Sequence, residues 1–195
     1  YLGLIGLLSS LSLLGRRKDL NIYAPKEIKK IIDVHEEILG KGYGFRINLI
    51  ALNFIDQEVL YKDNVLTVYS FPVTHSIPCC GFLFKENPTK RRLIKEKILR
   101  KNFNIETLQR LKKGEDCVFE EEEIKNIEYT TDGPRQRSYA FCADTQYDEN
   151  IVKYISKTDL IYHESTFLES MKNRAKTTFH STALDAAKIA KLANV

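Results

Sequence analysis

The chain has 195 residues, a hydrophobic content of 43% and a formal net charge of +4. This size allows one domain with a substantial core, or a piece of a somewhat larger domain. The opening apolar run, residues 1–14, is shorter than the ~20 apolar residues that span a bilayer, and it lacks the features of a secretory signal. Four cysteines without C-x-x-C spacing indicate neither a disulfide scaffold nor a cysteine zinc site. We therefore expect a protein of the reducing cytoplasm with no membrane association.

Both ends of the sequence favour a piece of a larger protein. The chain begins at Tyr1 without a methionine, inside an apolar helical pattern. It stops at Val195, where a strand is expected after the last helix. We therefore expect a chain that is truncated at both ends.

Predicted helices and strands alternate along the chain. Residues 1–14 are expected to form a buried helix ending at Gly15, and a second helix is expected to begin at Pro25 and end at Gly40. Further helices are predicted at 91–101, after a cap at Asp148, and from about Ala183. Strands are predicted at 20–24, 45–54, 58–61, 65–73, 80–84, 138–143 and 160–162, with two edge strands within 116–129. This order indicates an α/β layered fold whose sheet is not purely parallel.

Positive charge is concentrated in one segment. Between Lys85 and Lys113, eleven Lys and Arg stand against three Glu, a local balance of +8 that leaves about −4 for the rest of the chain. A solvated surface excursion is the usual explanation of such a run. Its length and its position between two strands instead favour an arm that contacts nucleic-acid phosphates. Because Phe103 is its one aromatic residue, the arm suits folded RNA better than stacked single strands.

Several predicted strands lead into residues that bind metals or transfer protons. These residues are His75, Asp144, and the neighbours His163 and Glu164, while His180 lies just before the last helix. Strands of an α/β fold deliver their carboxyl ends to one rim, so we expect these side chains to converge. Taken singly, each has a commoner structural explanation, such as a turn, a cap or a hydrogen-bonded pair. Together they suit part of a zinc or manganese hydrolase site.

The start of the last helix is a candidate phosphate contact. Thr182 can cap this helix, with Asp185 at the capping-box position. Helix N-termini attract phosphates through their unpaired N–H groups and the helix dipole. We therefore expect His180 near a phosphodiester, with Ser181 and Thr182 as substrate contacts; an ordinary capped helix is the alternative.

Four strings of residues resemble successive motifs of the ribonuclease Z family, in the family's order. They are FPVTHSIPCCGF at 71–82, SYAFCADT at 138–145, YHESTF at 162–167 and FHSTA at 179–183. The resemblance covers essentially the whole chain. It implies a metallo-β-lactamase fold, a four-layer αββα sandwich of mixed sheets that is incomplete here. It further implies a single domain over residues 1–195, with a flexible arm or exosite inserted at about 85–116.

The resemblance also implies roles for individual residues. His75 would bind the first of two zinc ions and Asp144 would bridge both, with Mn²⁺ or Mg²⁺ as substitutes. Glu164 and His180 would cooperate in catalysis, with His180 near the scissile phosphate. The arm would bind tRNA, and its expected contacts are Arg91, Arg92, Lys112 and Lys113.

Two departures from the family pattern concern the metal site. The H-x-H-x-D-H motif is absent, and residues 1–4 resemble the helix that follows it. The late histidine that completes the second zinc site is absent as well. We therefore expect the chain alone to be inactive and to hold two metal ions poorly.

The implied function is that of a zinc-dependent endoribonuclease, active as a homodimer, that removes the 3′ trailer from precursor tRNA and leaves a 3′-hydroxyl. Two alternatives stay open. One is another phosphodiesterase of this fold that acts on small substrates, against which the basic segment argues. The other is a catalytically dead RNA-binding domain, and the residues encoded before Tyr1 would decide that question.

Overall fold

The computed structural model describes residues 2–195, so Tyr1, the first residue of the predicted opening helix, lies outside the described residues. The strands are β1 (Leu20–Ala24), β2 (Ile47–Ala51), β3 (Glu58–Lys62), β4 (Leu66–Val73), β5 (Cys79–Glu86), β6 (Arg92–Leu93), β7 (Cys117–Phe119), β8 (Glu122–Ile124), β9 (Thr130–Thr131), β10 (Ser138–Cys142) and β11 (Leu160–His163). The helices are α1 (Leu2–Leu13), α2 (Ile28–Leu39), α3 (Lys95–Lys101), α4 (Ile105–Lys113), α5 (Asn126–Tyr129), α6 (Val152–Ile155), α7 (Lys172–Thr177) and α8 (Ala183–Ala193).

The main sheet has five strands in the order β11-β10-β5-β4-β3. Strands β10 and β11 are parallel, and the other neighbours are antiparallel. Strands β1 and β2 form a separate parallel pair. The prediction of a mixed α/β arrangement is therefore confirmed, and the parallel pair delivers the residues after β10 and β11 to the same edge.

The main core lies between this sheet and the helices that cover it. Phe71, Ala140 and Cys142 of the sheet pack with Ile155 of α6 and Ile189 of α8, and all five side chains are fully buried. Burial of a large apolar side chain contributes about 1.5–3 kcal/mol. This packing fixes α8 against the sheet and so positions the residues that precede the helix.

Gly81 allows the ring of Phe71 to lie against β5. A Cβ at this position would stand 2.5 Å from Cζ of Phe71 and 2.9 Å from the carbonyl oxygen of Phe141. Because neither group can move without disturbing the core, we expect Gly81→Ala to destabilise the fold by about 1–3 kcal/mol. The control is Gly6→Ala in α1, where a Cβ would meet open space and alanine should stabilise by about 0.5–1 kcal/mol. Urea denaturation measures both changes, and a stable Gly81→Ala variant would contradict the steric argument.

Helix α1 forms where it was predicted, but the expectation of a buried helix is wrong. Leu8 is its buried residue and packs on α2, whereas Leu2 and Leu13 are 88% and 89% exposed. The segment is apolar on all sides, so its sequence does not show which side faces the core. Its end agrees with the prediction, because Gly15 has a φ of 79° in the left-handed region.

The other differences from the predicted elements are local. Helix α2 begins at Ile28, three residues after Pro25, and ends at Gly40 as predicted. The predicted helix at 91–101 is divided into β6 and α3. Asp148 caps a short 3₁₀ turn that leads into α6. Helix α7 was not predicted, because its sequence carries no apolar periodicity.

A folded insertion, residues 87–137, separates β5 from β10. It contains β6 to β9 and α3 to α5. Its small core consists of Phe103, Leu111, Cys117 and Ile124. The folded unit therefore extends to β9, past residue 116, where the arm was expected to end. Both ends of the insertion meet at the main sheet, where the N–H of Glu86 donates to the carbonyl of Arg137 over 2.9 Å.

Across residues 2–195, every helix falls short of the length and apolar character that crossing a lipid bilayer requires.

Candidate active site and metal centre

Three of the predicted site residues meet at the carboxyl ends of the parallel strands. One ligand atom from each of Asp144, Glu164 and His180 lies within 4.8 Å of the others. Asp144 follows β10, Glu164 follows β11, and His180 is brought to this rim by α8. The cluster combines two carboxylates with an imidazole, which is a donor set suited to binding a metal ion or moving protons.

Glu164 is the most heavily hydrogen-bonded member of the cluster. It is 8% exposed and accepts from the N–H of Thr145 (2.6 Å), Oγ1 of Thr166 (2.6 Å), Nδ1 of His180 (2.8 Å) and the N–H of Ser181 (3.2 Å). Burial raises the pKa of Glu164, but the hydrogen bonds from Thr166, His180, Thr145 and Ser181 outweigh it and lower the pKa below the usual value. The side chain is therefore an ionised acceptor at neutral pH.

The imidazole of His180 is oriented by this carboxylate. An ionised carboxylate only accepts hydrogen bonds, so Nδ1 of His180 carries a proton and donates it to Glu164. The ring also makes edge contacts with His75 and Phe167, at centroid distances of 5.1 and 6.2 Å. Nε2 is the ring nitrogen that remains for a ligand, and Glu164 stabilises the ring when both nitrogens are protonated.

His75 reaches the same rim, although it does not join the three-residue cluster. Its Nδ1 lies 2.9 Å from the carbonyl oxygen of Phe179. A carbonyl only accepts, so Nδ1 donates and Nε2 keeps its lone pair. Histidines that bind metals commonly hold their second nitrogen in this way.

One member of the cluster and one residue beside it have positive φ angles. Asp144 has a φ of 53° and Phe179, directly before His180, has a φ of 58°. Aspartate tolerates the left-handed region, whereas phenylalanine adopts it at a cost of about 1–2 kcal/mol. Such strain persists where the surrounding structure enforces it, often at functional sites. Here it turns the carbonyl of Phe179 towards His75.

The sequence also allows His163 and Glu164 to be a satisfied hydrogen-bonding pair. Its Nδ1 lies 2.8 Å from the main-chain oxygen of Glu164. Its Nε2 is buried and has no hydrogen-bond partner in the part of the chain that the structure describes. The pair is therefore only partly satisfied, and His163 is not one of the three clustered residues.

The two predicted substrate contacts at the start of α8 have buried side chains. Ser181 and Thr182 are both fully buried. Oγ of Ser181 donates to the carbonyl of Thr145 over 2.7 Å, and Oγ1 of Thr182 donates to Glu169 over 2.8 Å. The capping box between Thr182 and Asp185 is present, as the sequence predicted. Both hydroxyls are therefore engaged in hydrogen bonds within the protein, and a role of Ser181 and Thr182 in substrate binding stays a prediction.

The carboxylates and imidazoles at this rim are of the ligand types that bind divalent metal ions. Asp144 is exposed, and Nε2 of His75 has a lone pair to offer, while Glu164 is already occupied by four hydrogen bonds. A catalytic zinc takes about three protein ligands and a water molecule. His75 and Asp144 would therefore supply only part of such a ligand set.

The insertion is less basic than its first half suggested. Residues 114–132 carry eight Asp and Glu against one Lys, so the whole insertion, with thirteen Lys and Arg against ten Asp and Glu, has a net charge of about +3. Ion pairs join the two halves, among them Arg91–Asp132, Lys101–Glu122 and Arg110–Glu115. Arg91 also donates to Thr130 over 2.7 Å and is thereby held within the insertion. Of the four predicted RNA contacts, the exposed ones are Arg92, Lys112 and Lys113.

Comparison with known proteins agrees with the motifs. No family model matches the chain. The ribonuclease Z of Parabacteroides distasonis is 39% identical over 194 residues, that of Bacteroides fragilis 37% over 194 and that of Cytophaga hutchinsonii 35% over 193. These matches cover 99%, 99% and 98% of the chain, but 64%, 64% and 61% of the relatives. The chain therefore spans slightly less than two thirds of the length of these curated relatives.

The fold has a counterpart among solved structures. All of the chain matches 64% of human tRNase Z, short form, with a TM-score of 0.62 at 20% sequence identity. At this identity the likeness shows the fold alone, which is the metallo-β-lactamase fold. The predicted resemblance is confirmed, since nearly the whole chain is 35–39% identical to proteins named ribonuclease Z.

Proposed function

We propose that the complete protein is a metal-dependent endoribonuclease that removes the 3′ trailer from precursor tRNA. The observation that carries this proposal is the cluster of Asp144, Glu164 and His180 within 4.8 Å at one rim of the sheet. It combines a metal ligand, a carboxylate that orients an imidazole, and a proton donor. Homology to proteins named ribonuclease Z supports RNA as the substrate.

The chemistry follows from the position of each side chain. The metal ions, when bound, supply an activated water and neutralise charge on the phosphate. His180, protonated on both nitrogens, gives its Nε2 proton to the leaving 3′-oxygen, while Glu164 stabilises the imidazolium through Nδ1. The bond between phosphorus and the 3′-oxygen breaks as the water oxygen bonds to phosphorus. The products are a tRNA with a 3′-hydroxyl and a trailer with a 5′-phosphate.

We propose two zinc ions per subunit, with Mn²⁺ or Mg²⁺ as substitutes. Imidazole and carboxylate ligands suit zinc. His75 and Asp144 would hold the ions, and further ligands would have to come from residues other than these. A precursor-tRNA substrate in turn favours a cytoplasmic location. A homodimer stays a prediction of the family resemblance, which the mass of the full-length protein in solution would check.

The deciding experiment is cleavage of a 3′-extended tRNA precursor by the full-length gene product. We expect cutting near the discriminator base that a chelator abolishes and added Zn²⁺ restores. Asp144→Asn should abolish cutting while tRNA binding persists. Absence of cutting by the unaltered protein, with tRNA still bound, would support the alternative of a catalytically dead RNA-binding domain.

We also propose that the insertion binds tRNA, which the exposed Arg92, Lys112 and Lys113 support. Its ends meet at Glu86 and Arg137, so residues 88–136 can be replaced by a short Gly-Ser linker. We expect precursor cleavage to fall on the order of 10²-fold, because phosphate contacts are lost. Hydrolysis of bis(p-nitrophenyl) phosphate should persist and shows that the body has folded. Unchanged cleavage of the precursor would contradict a role of the insertion in binding.

A further inference from the structure

A cavity of about 480 Å³ lies beside His180, between α7 and α8. Its lining includes Lys172 and Lys176 of α7, Lys188 of α8, and the side chains of Gln146 and Asn173. His180 belongs both to this lining and to the three-residue cluster. The cavity is therefore continuous with the proposed catalytic centre.

The cavity wall is positively charged. Lys176 and Lys188 form no ion pair within 4.0 Å among residues 2–195, and Lys172 pairs with Glu169 at 3.1 Å. Asp185, the one carboxylate in the lining, accepts from the N–H of Thr182 over 3.2 Å and so is committed to the helix cap. The lining therefore carries three lysines against one carboxylate, a net charge of about +2.

The positions of these groups suit one particular part of an RNA chain. If His180 protonates the leaving 3′-oxygen, the nucleotide that carries this oxygen lies on the His180 side of the scissile phosphate. The 5′-phosphate of that same nucleotide then continues towards the cavity. Lysine binds phosphate as a point charge without a fixed geometry, and the amides of Gln146 and Asn173 add neutral donors.

We propose that this cavity binds the RNA phosphate immediately 5′ of the scissile phosphate, with Lys176 and Lys188 as its main contacts. The proposal rests on the proposed ribonuclease function, because it places the substrate relative to His180. The cavity would then be a second binding site for the substrate, in addition to the insertion, and it would hold the RNA backbone next to the cleavage point. The sequence gives little sign of it, since the lysines are scattered over residues 172–188 and only α7 and α8 bring them together.

The test uses the full-length protein with Lys176→Gln, Lys188→Gln and the double variant. The matched control is Lys191→Gln, an exposed lysine one turn further along α8 that does not line the cavity. We expect the double variant to lose about 10- to 100-fold in kcat/KM for a 3′-extended tRNA precursor. We also expect the salt slope of tRNA binding, which is the slope of log binding constant against log salt concentration, to fall in magnitude by about 1–2. The loss should be far smaller for bis(p-nitrophenyl) phosphate, which has no neighbouring phosphate, and the control should stay within about twofold.

A modified substrate then locates the phosphate. A methylphosphonate immediately 5′ of the scissile phosphate removes one charge, and it should slow the unaltered protein much more than the double variant, because the same contact cannot be lost twice. An equal effect on both proteins would overturn the proposal. If the unaltered protein cuts no RNA, the proposed function fails instead. The salt slope of tRNA binding then tests the cavity by itself, and a slope unchanged in the double variant would overturn it.

Discussion

His180→Ala in the full-length protein should lower the rate of precursor-tRNA cleavage by about 10²- to 10⁴-fold, which is the usual contribution of a positioned general acid. The 2.8 Å contact between Nδ1 of His180 and Glu164 fixes the ring and leaves Nε2 to protonate the leaving 3′-oxygen. Alanine removes that proton donor without removing His75 or Asp144. We therefore expect the chemical step to slow while tRNA binding changes little.

Single-turnover cleavage with saturating protein separates the chemical step from binding. A substrate whose leaving 3′-oxygen is replaced by sulfur needs no proton, so it should restore most of the rate in His180→Ala. The control is His35→Ala, since His35 lies on α2, where it contacts Tyr43, and takes no part in the cluster. If the sulfur substrate is slowed as much as the normal one, His180 is not the acid.

The rim of the site was predictable because it depends on strand ends. Asp144 and Glu164 each follow a short apolar strand, and two parallel neighbours must place such residues side by side. The capping box of Thr182 and Asp185 was predictable for a similar reason, since it involves residues only three apart. Local patterns of this kind determine backbone geometry directly.

What the sequence did not show depends on contacts between distant residues. A capping threonine has the same pattern whether its helix end is exposed or buried, so the burial of Thr182 against Glu169 was not foreseen. The basic run at 85–113 looked like a strongly charged arm because its acidic partners follow it in the sequence. Folding brings Lys101 to Glu122 and Arg91 to Asp132, and these ion pairs offset part of the positive charge.

Glu164→Ala should destabilise the fold by about 3–5 kcal/mol and abolish cleavage as well. Removal of this carboxylate leaves the buried N–H groups of Thr145 and Ser181 without their acceptor, and unsatisfied buried donors cost about 1–3 kcal/mol each. Glu164→Gln keeps one oxygen acceptor and should cost less, but it cannot stabilise the imidazolium of His180. Chemical denaturation at neutral pH measures both variants. The control Glu37→Ala, at an exposed position on α2, should stay within about 0.5 kcal/mol.

The pH dependence of the free energy of unfolding shows whether Glu164 stabilises the fold through its charge or through its packing. Because hydrogen bonds lower the pKa of Glu164 in the folded state, its ionised form contributes stability above the usual value of 4.5, and this contribution is lost as the pH falls towards the lowered pKa. The stability difference between the unaltered protein and Glu164→Gln should therefore be largest near neutral pH and shrink in acid. A difference that stayed constant down to acidic pH would mean that the glutamate acts through packing, and the account of His180 as an imidazolium held by a carboxylate would lose its support.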